Sequence, residues 1–232
     1  VIAERVSAVR QRIARAAERA SRPPEEITLV AVSKTWPPDA VRAAFAAGVR
    51  HFGENRVQEA DAKIAGLSEL RARGLRWHLV GHLQSNKARK AAVLFDVIES
   101  VDSIKLAERL ARAGAEVGRS LRVLVQVDLA GEADKSGLAE DALEEALRRM
   151  RGLEGLRVDG LMVLPPYLDD PQDVRPYFAR LRALRDRMAA ADLLDGNDLS
   201  MGMSHDFEAA VEEGATIIRV GTAIFGERTA AA

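Results

Sequence analysis

The apolar positions of this chain follow two rhythms. Ile2, Val6, Val9, Ile13, Ala16, Ala17 and Ala20 recur every three or four residues with arginines and glutamates between them, which predicts an amphipathic helix. Ser21-Arg-Pro-Pro24 ends it. From there, short apolar runs alternate with helical patterns to the end of the chain. Eight runs read as strands: Ile27–Lys34, Val49–Gly53, Leu75–Gly81, Val97–Ser100, Leu121–Asp128, Arg157–Val163, Asp198–Ser200 and Thr216–Val220. Helical periodicity falls near 38–47, 55–72, 85–94, 103–117, 138–151, 172–191 and 206–213. Runs such as Leu121-Arg-Val-Leu-Val-Gln-Val127 are almost continuously apolar, as parallel strands covered on both faces are. Asp198–Ser200, short and polar, has the weakest strand pattern.

This order predicts an α/β fold, a single (β/α)8 TIM barrel with an extra N-terminal helix. An open doubly wound sheet is the alternative, but eight regular units without a reversal favour closure. No linker, low-complexity run or repeat interrupts the sequence, so residues 1–232 read as one domain.

Composition narrows the function classes. The net charge is −1, so no overall basic field draws nucleic acid or an anionic membrane. The basic segment Asn86-Lys-Ala-Arg-Lys90 has apolar flanks and no interleaved aromatics, which makes it a solvated helix face. There are no cysteines, which excludes disulfides, thiolate metal sites and cysteine nucleophiles. No apolar run has the roughly 18 residues of a membrane helix. The charged, amphipathic first residues do not fit a secretory signal, and the expected location is the cytoplasm. The charged outer helix faces carry no apolar stripe, so a monomer is expected.

Candidate chemistry gathers just after the strands. Lys34 ends the first run, before Thr35-Trp36-Pro37-Pro38. That position puts an amine at the ligand-binding mouth of an α/β fold, where partial desolvation prepares it to form a Schiff base. A strand-end lysine that simply reaches solvent is the plainer alternative. Ser200-Met-Gly-Met-Ser204 and Arg219-Val-Gly221-Thr222 follow the last two strands, where this fold most often binds phosphate. Gly202 and Gly221 admit an anion to the backbone, and Ser200, Ser204 and Thr222 bring hydroxyls. Alternatively, Ser204 only caps the next helix and the glycines only turn. Alternation sets Arg219 on the opposite face from Ile218 and Val220, where it needs a partner. A ligand would supply one, and so would Glu54 or Glu227.

His78 and His82 flank a strand end and point differently, so no metal site is assigned. His82 is placed to line the pocket, whereas His51 and His205 carry no signal beyond position. Asp128 ends a strand without an evident acid–base partner.

Several segments together resemble one family, the pyridoxal-phosphate homeostasis proteins, relatives of the N-terminal barrel of alanine racemase. They are Val30-Ala-Val-Ser-Lys34, His51-Phe-Gly-Glu-Asn55, Trp77-His-Leu-Val-Gly-His-Leu-Gln-Ser-Asn-Lys87, Gly160-Leu-Met162, Leu199-Ser-Met-Gly-Met-Ser204 and Ile218-Arg-Val-Gly-Thr-Ala-Ile-Phe-Gly226. The resemblance implies that Lys34 holds pyridoxal 5'-phosphate as a Schiff base. It implies that Ser204, Gly221 and Thr222 bind the phosphate with Ser200 nearby. Arg219 would then face the pyridine nitrogen, with Asn55 and His82 around the ring. An arginine there stays protonated and leaves the ring nitrogen unprotonated, so the ring is a poorer electron sink.

Three function classes follow. The first is a carrier that keeps the free cofactor pool low and delivers to apo-enzymes, with no residue assigned to catalysis. The second is an amino-acid racemase with Lys34 as one base, which needs an acid–base group on the other face. Only Tyr167 and Tyr177 exist as tyrosines, and Tyr167 follows Pro165-Pro166 on the correct face. The third is a barrel binding some other phosphorylated metabolite, with Lys34 as an ion-pair partner.

Overall fold

The computed structural model describes residues 1–131 and 136–227. The chain opens with α1 (Ile2–Arg19), which buries Val6, Val9, Ile13, Ala16 and Ala17 as its periodicity predicts. Next come β1 (Thr28–Val32), α2 (Pro38–Ala46), β2 (His51–Glu54), α3 (Val57–Ala65), α4 (Ser68–Ala72) and β3 (Arg76–Leu79). The middle of the chain gives α5 (Ala88–Leu94), β4 (Val97–Val101), α6 (Ile104–Glu116), β5 (Leu121–Asp128) and β6 (Leu138–Ala139). It ends with α7 (Leu143–Met150), β7 (Leu156–Met162), α8 (Arg175–Ala190), β8 (Asp198–Ser200), α9 (Phe207–Glu212), β9 (Ile217–Val220) and α10 (Thr222–Phe225).

The sheet closes. The strands pair in the order β4-β3-β2-β1-β9-β8-β7-β5, and β4 also pairs with β5, giving a ring of eight parallel strands. The TIM barrel with its N-terminal helix is therefore the observed fold. Two apolar layers stabilise it. The large one lies between strands and helices and includes Phe52, Trp77, Phe178 and Phe207. The small one is Val30, Leu124, Met162 and Ile217, with Leu164 against it. Alternation sends Val30 and Ile217 to the barrel interior, because Ala31 and Ile218 belong to the outer layer.

The structure differs from the sequence pattern at four points. The helix predicted over 55–72 is two helices, because α3 ends at Gly66 and Leu67 turns fully inward. The pattern near 138–151 starts extended, with Leu138 and Ala139 alongside Val127 and Asp128, and becomes α-helical at Leu143. The short helix α10 after the last strand was not predicted, since four residues give no periodicity to read. Strand ends are also shorter than the apolar runs, so Lys34 stands beyond β1 rather than in it.

Candidate functional site

The chain bends sharply at Lys34. Ser33 N–H still donates to Gly53 O at 2.9 Å, continuing the β1–β2 pairing. Then Thr35 adopts φ 66°, a left-handed conformation that a β-branched residue rarely takes. The turn is held by Trp36 N–H to Ser33 O at 3.0 Å and by Thr35 N–H to the Glu59 carboxylate. Trp36 stacks on Phe225 with centroids 5.8 Å apart, tying this loop to α10.

α10 is the other wall. Ser204 Oγ accepts hydrogen bonds from Gly221 N–H at 3.2 Å and Ala223 N–H at 3.3 Å. Ser204 thus serves the short helix after β9. Asp206 receives Met203 N–H at 2.6 Å at the start of the helix that Ser204 was weighed as capping. Gly202 lets the loop after β8 lie close against α9. Its φ is 93°, and a Cβ there would come within 2.5 Å of the Ala210 Cβ. Gly81 plays a similar part after β3, where a Cβ would lie 2.3 Å from Asn55 O.

These loops enclose a cavity of about 670 Å³ at the C-terminal end of the strands. Lys34, Asn55, His82, Ser204, Arg219, Gly221 and Thr222 all line it, together with the apolar Val32, Val80, Leu164 and Pro165. So do Tyr167 and His205, whose rings lie tilted against each other with centroids 5.0 Å apart. His82 Nδ1 lies 3.0 Å from Asp102 Oδ2 and 3.1 Å from Ser136 Oγ.

Ser200 is placed differently from the expectation. It is fully buried and is absent from the lining. Its hydroxyl donates to Glu99 Oε2 at 2.5 Å and accepts from Arg219 Nη1. β8 ends at Ser200, so its side chain falls inside the barrel, below the loops that form the pocket.

Arg219 has a protein partner, but neither Glu54 nor Glu227. Glu99, from across the barrel, lies 3.9 Å from Arg219 Nη1, and Arg219 Nη2 donates to Val163 O at 2.8 Å. Burial lowers the guanidinium pKa from its ordinary value, and Glu99 and Asp206 oppose that. Burial also pushes Glu99 upward, but His78, Arg219 and Ser200 outweigh it and hold the carboxyl below its usual range. His78 Nδ1 lies 2.6 Å from Glu99 Oε1, and His51 Nδ1 lies 2.9 Å from His78 Nε2.

Glu54 belongs to a second cluster. Lys63 Nζ donates to Glu54 Oε1 at 2.6 Å and to Ser33 O at 2.7 Å, and Ser33 Oγ donates to Glu54 Oε1 at 2.6 Å. Burial raises the Glu54 pKa, with Lys63 and Ser33 acting against the rise. Neither Lys63 nor Glu99 was read from sequence as functional. Glu99 carried a usable signal, since a charge inside Val97-Ile-Glu-Ser-Val101 needs a partner as Arg219 does. Asp128 is a local cap, accepting from Ala130 N–H at 3.0 Å and Gly131 N–H at 2.9 Å. Among the described residues no cluster of three or more His, Asp or Glu could hold a metal, and no helix is long and apolar enough to cross a membrane.

Comparison with known proteins gives a consistent result. The family description of the alanine racemase N-terminal domain matches residues 5–229. The pyridoxal phosphate homeostasis protein of Pseudomonas aeruginosa is 46% identical over 228 residues, covering 98% of this chain and 96% of its own. That of Aquifex aeolicus is 43% identical over 225 residues, covering 97% of both. The structure of PipY from Synechococcus elongatus with PLP bound superposes with a TM-score of 0.85 at 45% identity, covering 97% of this chain and all of that one. Alanine racemase from Clostridium difficile shares the fold at 16% identity, with a TM-score of 0.69 over 97% of this chain and 57% of its own.

Proposed function

Because the chain belongs to the pyridoxal phosphate homeostasis protein family, we propose that it holds pyridoxal 5'-phosphate as a Schiff base on Lys34 and buffers the cofactor in the cytoplasm. The observation that carries this reading is convergence. One cavity brings together the Lys34 amine, the Arg219 guanidinium, and the Ser204, Gly221 and Thr222 cradle.

The donor set fits the group chemically. When bound, pyridoxal phosphate supplies an electrophilic aldehyde and an electron-withdrawing ring. The Lys34 amine would condense with that aldehyde, forming a C=N bond and releasing one water. Ser204, Gly221 and Thr222 would receive the phosphate, whose charge suits backbone N–H groups and hydroxyls. Arg219 would donate to the ring nitrogen without transferring its proton. Asn55 and His82 would bound the ring from the β2 and β3 loops. Ser200 would act from below, through Arg219.

A ring nitrogen left unprotonated favours storage over carbanion chemistry, so no residue is assigned to catalysis. Tyr167 is the observation behind the second reading, a racemase. It lines the cavity and is 73% exposed, so it stands on the mouth beside any entering amino acid. α-Deuterium exchange of L- and D-alanine in D2O separates the two. The carrier reading requires exchange no faster than with free pyridoxal phosphate. Rapid exchange with inversion would make the chain a racemase. Delivery to apo-enzymes and a monomeric state complete the proposal. Transfer to an apo-enzyme faster than spontaneous release, and the mass in solution, would check them.

A further inference from the structure

We propose that Glu99 is a positioning residue for the pocket, which sets the direction and effective charge of Arg219 from behind the cavity wall. The proposal rests on the reading that pyridoxal phosphate occupies this pocket with Arg219 at its ring nitrogen.

A fully buried carboxylate inside a barrel strand is costly unless each oxygen is satisfied. Here the two oxygens divide the work. Oε1 faces His78 Nδ1 at 2.6 Å, and Oε2 accepts from Ser200 Oγ at 2.5 Å. Ser200 in turn accepts from Arg219, whose other terminal nitrogen is held by Val163 O at 2.8 Å. The guanidinium is therefore fixed at two points by Ser200 and Val163, and neither lines the cavity. Glu99 does not line it either, yet it supplies the counter-charge at 3.9 Å. What Arg219 presents to the cavity is thus a compensated, oriented donor rather than a bare cation.

The arrangement extends away from the cavity. A carboxylate only accepts, so His78 carries its proton on Nδ1. Its Nε2 lies 2.9 Å from His51 Nδ1. This chain holds the His78 ring in place and through it the Glu99 carboxylate.

The test uses the whole chain loaded with pyridoxal phosphate labelled with 15N in the ring. Glu99→Gln keeps the shape and removes the charge. The expected result is a ring 15N signal displaced from its wild-type position, with affinity about tenfold weaker. Ser200→Ala, smaller and closer to isosteric, should move the signal in the same direction by less. It carries the test alone if Glu99→Gln does not fold. An unmoved signal in a folded variant would overturn the role of Glu99 while leaving cofactor binding intact. A wild-type chain that does not take up the labelled cofactor would overturn the occupant of the pocket, and this proposal with it.

Discussion

Two buried polar clusters support the pocket, and they are built in opposite ways. The Lys63–Glu54–Ser33 cluster is compact and ends on backbone. Lys63 grips Ser33 O at 2.7 Å, one residue before Lys34. The His51–His78–Glu99–Ser200–Arg219 cluster is long and ends on a side chain facing the cavity. The first determines where the main chain delivers an amine. The second determines how a cation points. An amine that forms a covalent bond needs its backbone placed, whereas a hydrogen-bond donor needs its direction set. The compact cluster should therefore behave as a unit of stability, and the extended one as a unit of tuning.

Breaking the compact cluster should produce the largest change in stability. Lys63→Met leaves Glu54 buried without its cation, and losing one partner of a buried pair costs about 3–5 kcal/mol. For a chain of this size the melting temperature should fall by about 10 °C. The double variant Lys63→Met with Glu54→Leu should recover most of that loss, since apolar replacement of a whole buried pair is often neutral. Thermal unfolding of the two variants checks this. If the double variant melts no higher than the single one, the ion pair is not what holds the turn.

The extended cluster should appear in the pH dependence. Burial, and after it His78, depress the His51 pKa from 6.5 to about 4. The unfolded chain therefore binds this proton first. Stability contributed by neutral His51 is fully present above pH 6.5 and is lost as the pH falls toward about 4. His51→Gln should flatten that part of the stability profile relative to wild type. Parallel profiles would remove His51 from the cluster.

Lys34→Ala should have the smallest effect on the fold and the sharpest effect on binding. The melting temperature of the cofactor-free protein should stay within about 3 °C, a change of roughly 1 kcal/mol. Covalent cofactor should disappear while the phosphate cradle remains. A much larger drop would mean that Lys34 belongs to the stability cluster beneath it.

The barrel was legible in the sequence because each strand run is bounded by a helical period, and the closure follows from their number and order. The loop residues Ser204, Gly221 and Thr222, which line the cavity, were legible because they follow the last two strands, a place the fold itself marks. The partners of the buried charges were not. Glu99 meets Arg219 only because β4 and β9 face each other across the barrel, and nothing near either residue in sequence reports that. Lys63 sits in an amphipathic helix where a lysine looks solvated, yet its amine points inward between Glu54 and Ser33. Ser200 was read as a pocket hydroxyl because it precedes the polar loop, but alternation at the strand end sends it inward.

The most direct test is the visible absorption spectrum of the purified protein after incubation with pyridoxal phosphate, before and after borohydride, followed by mass analysis of its peptides. The account predicts a yellow band that borohydride abolishes, with the reduced adduct on Lys34. A colourless protein, or an adduct confined to other lysines, would contradict it.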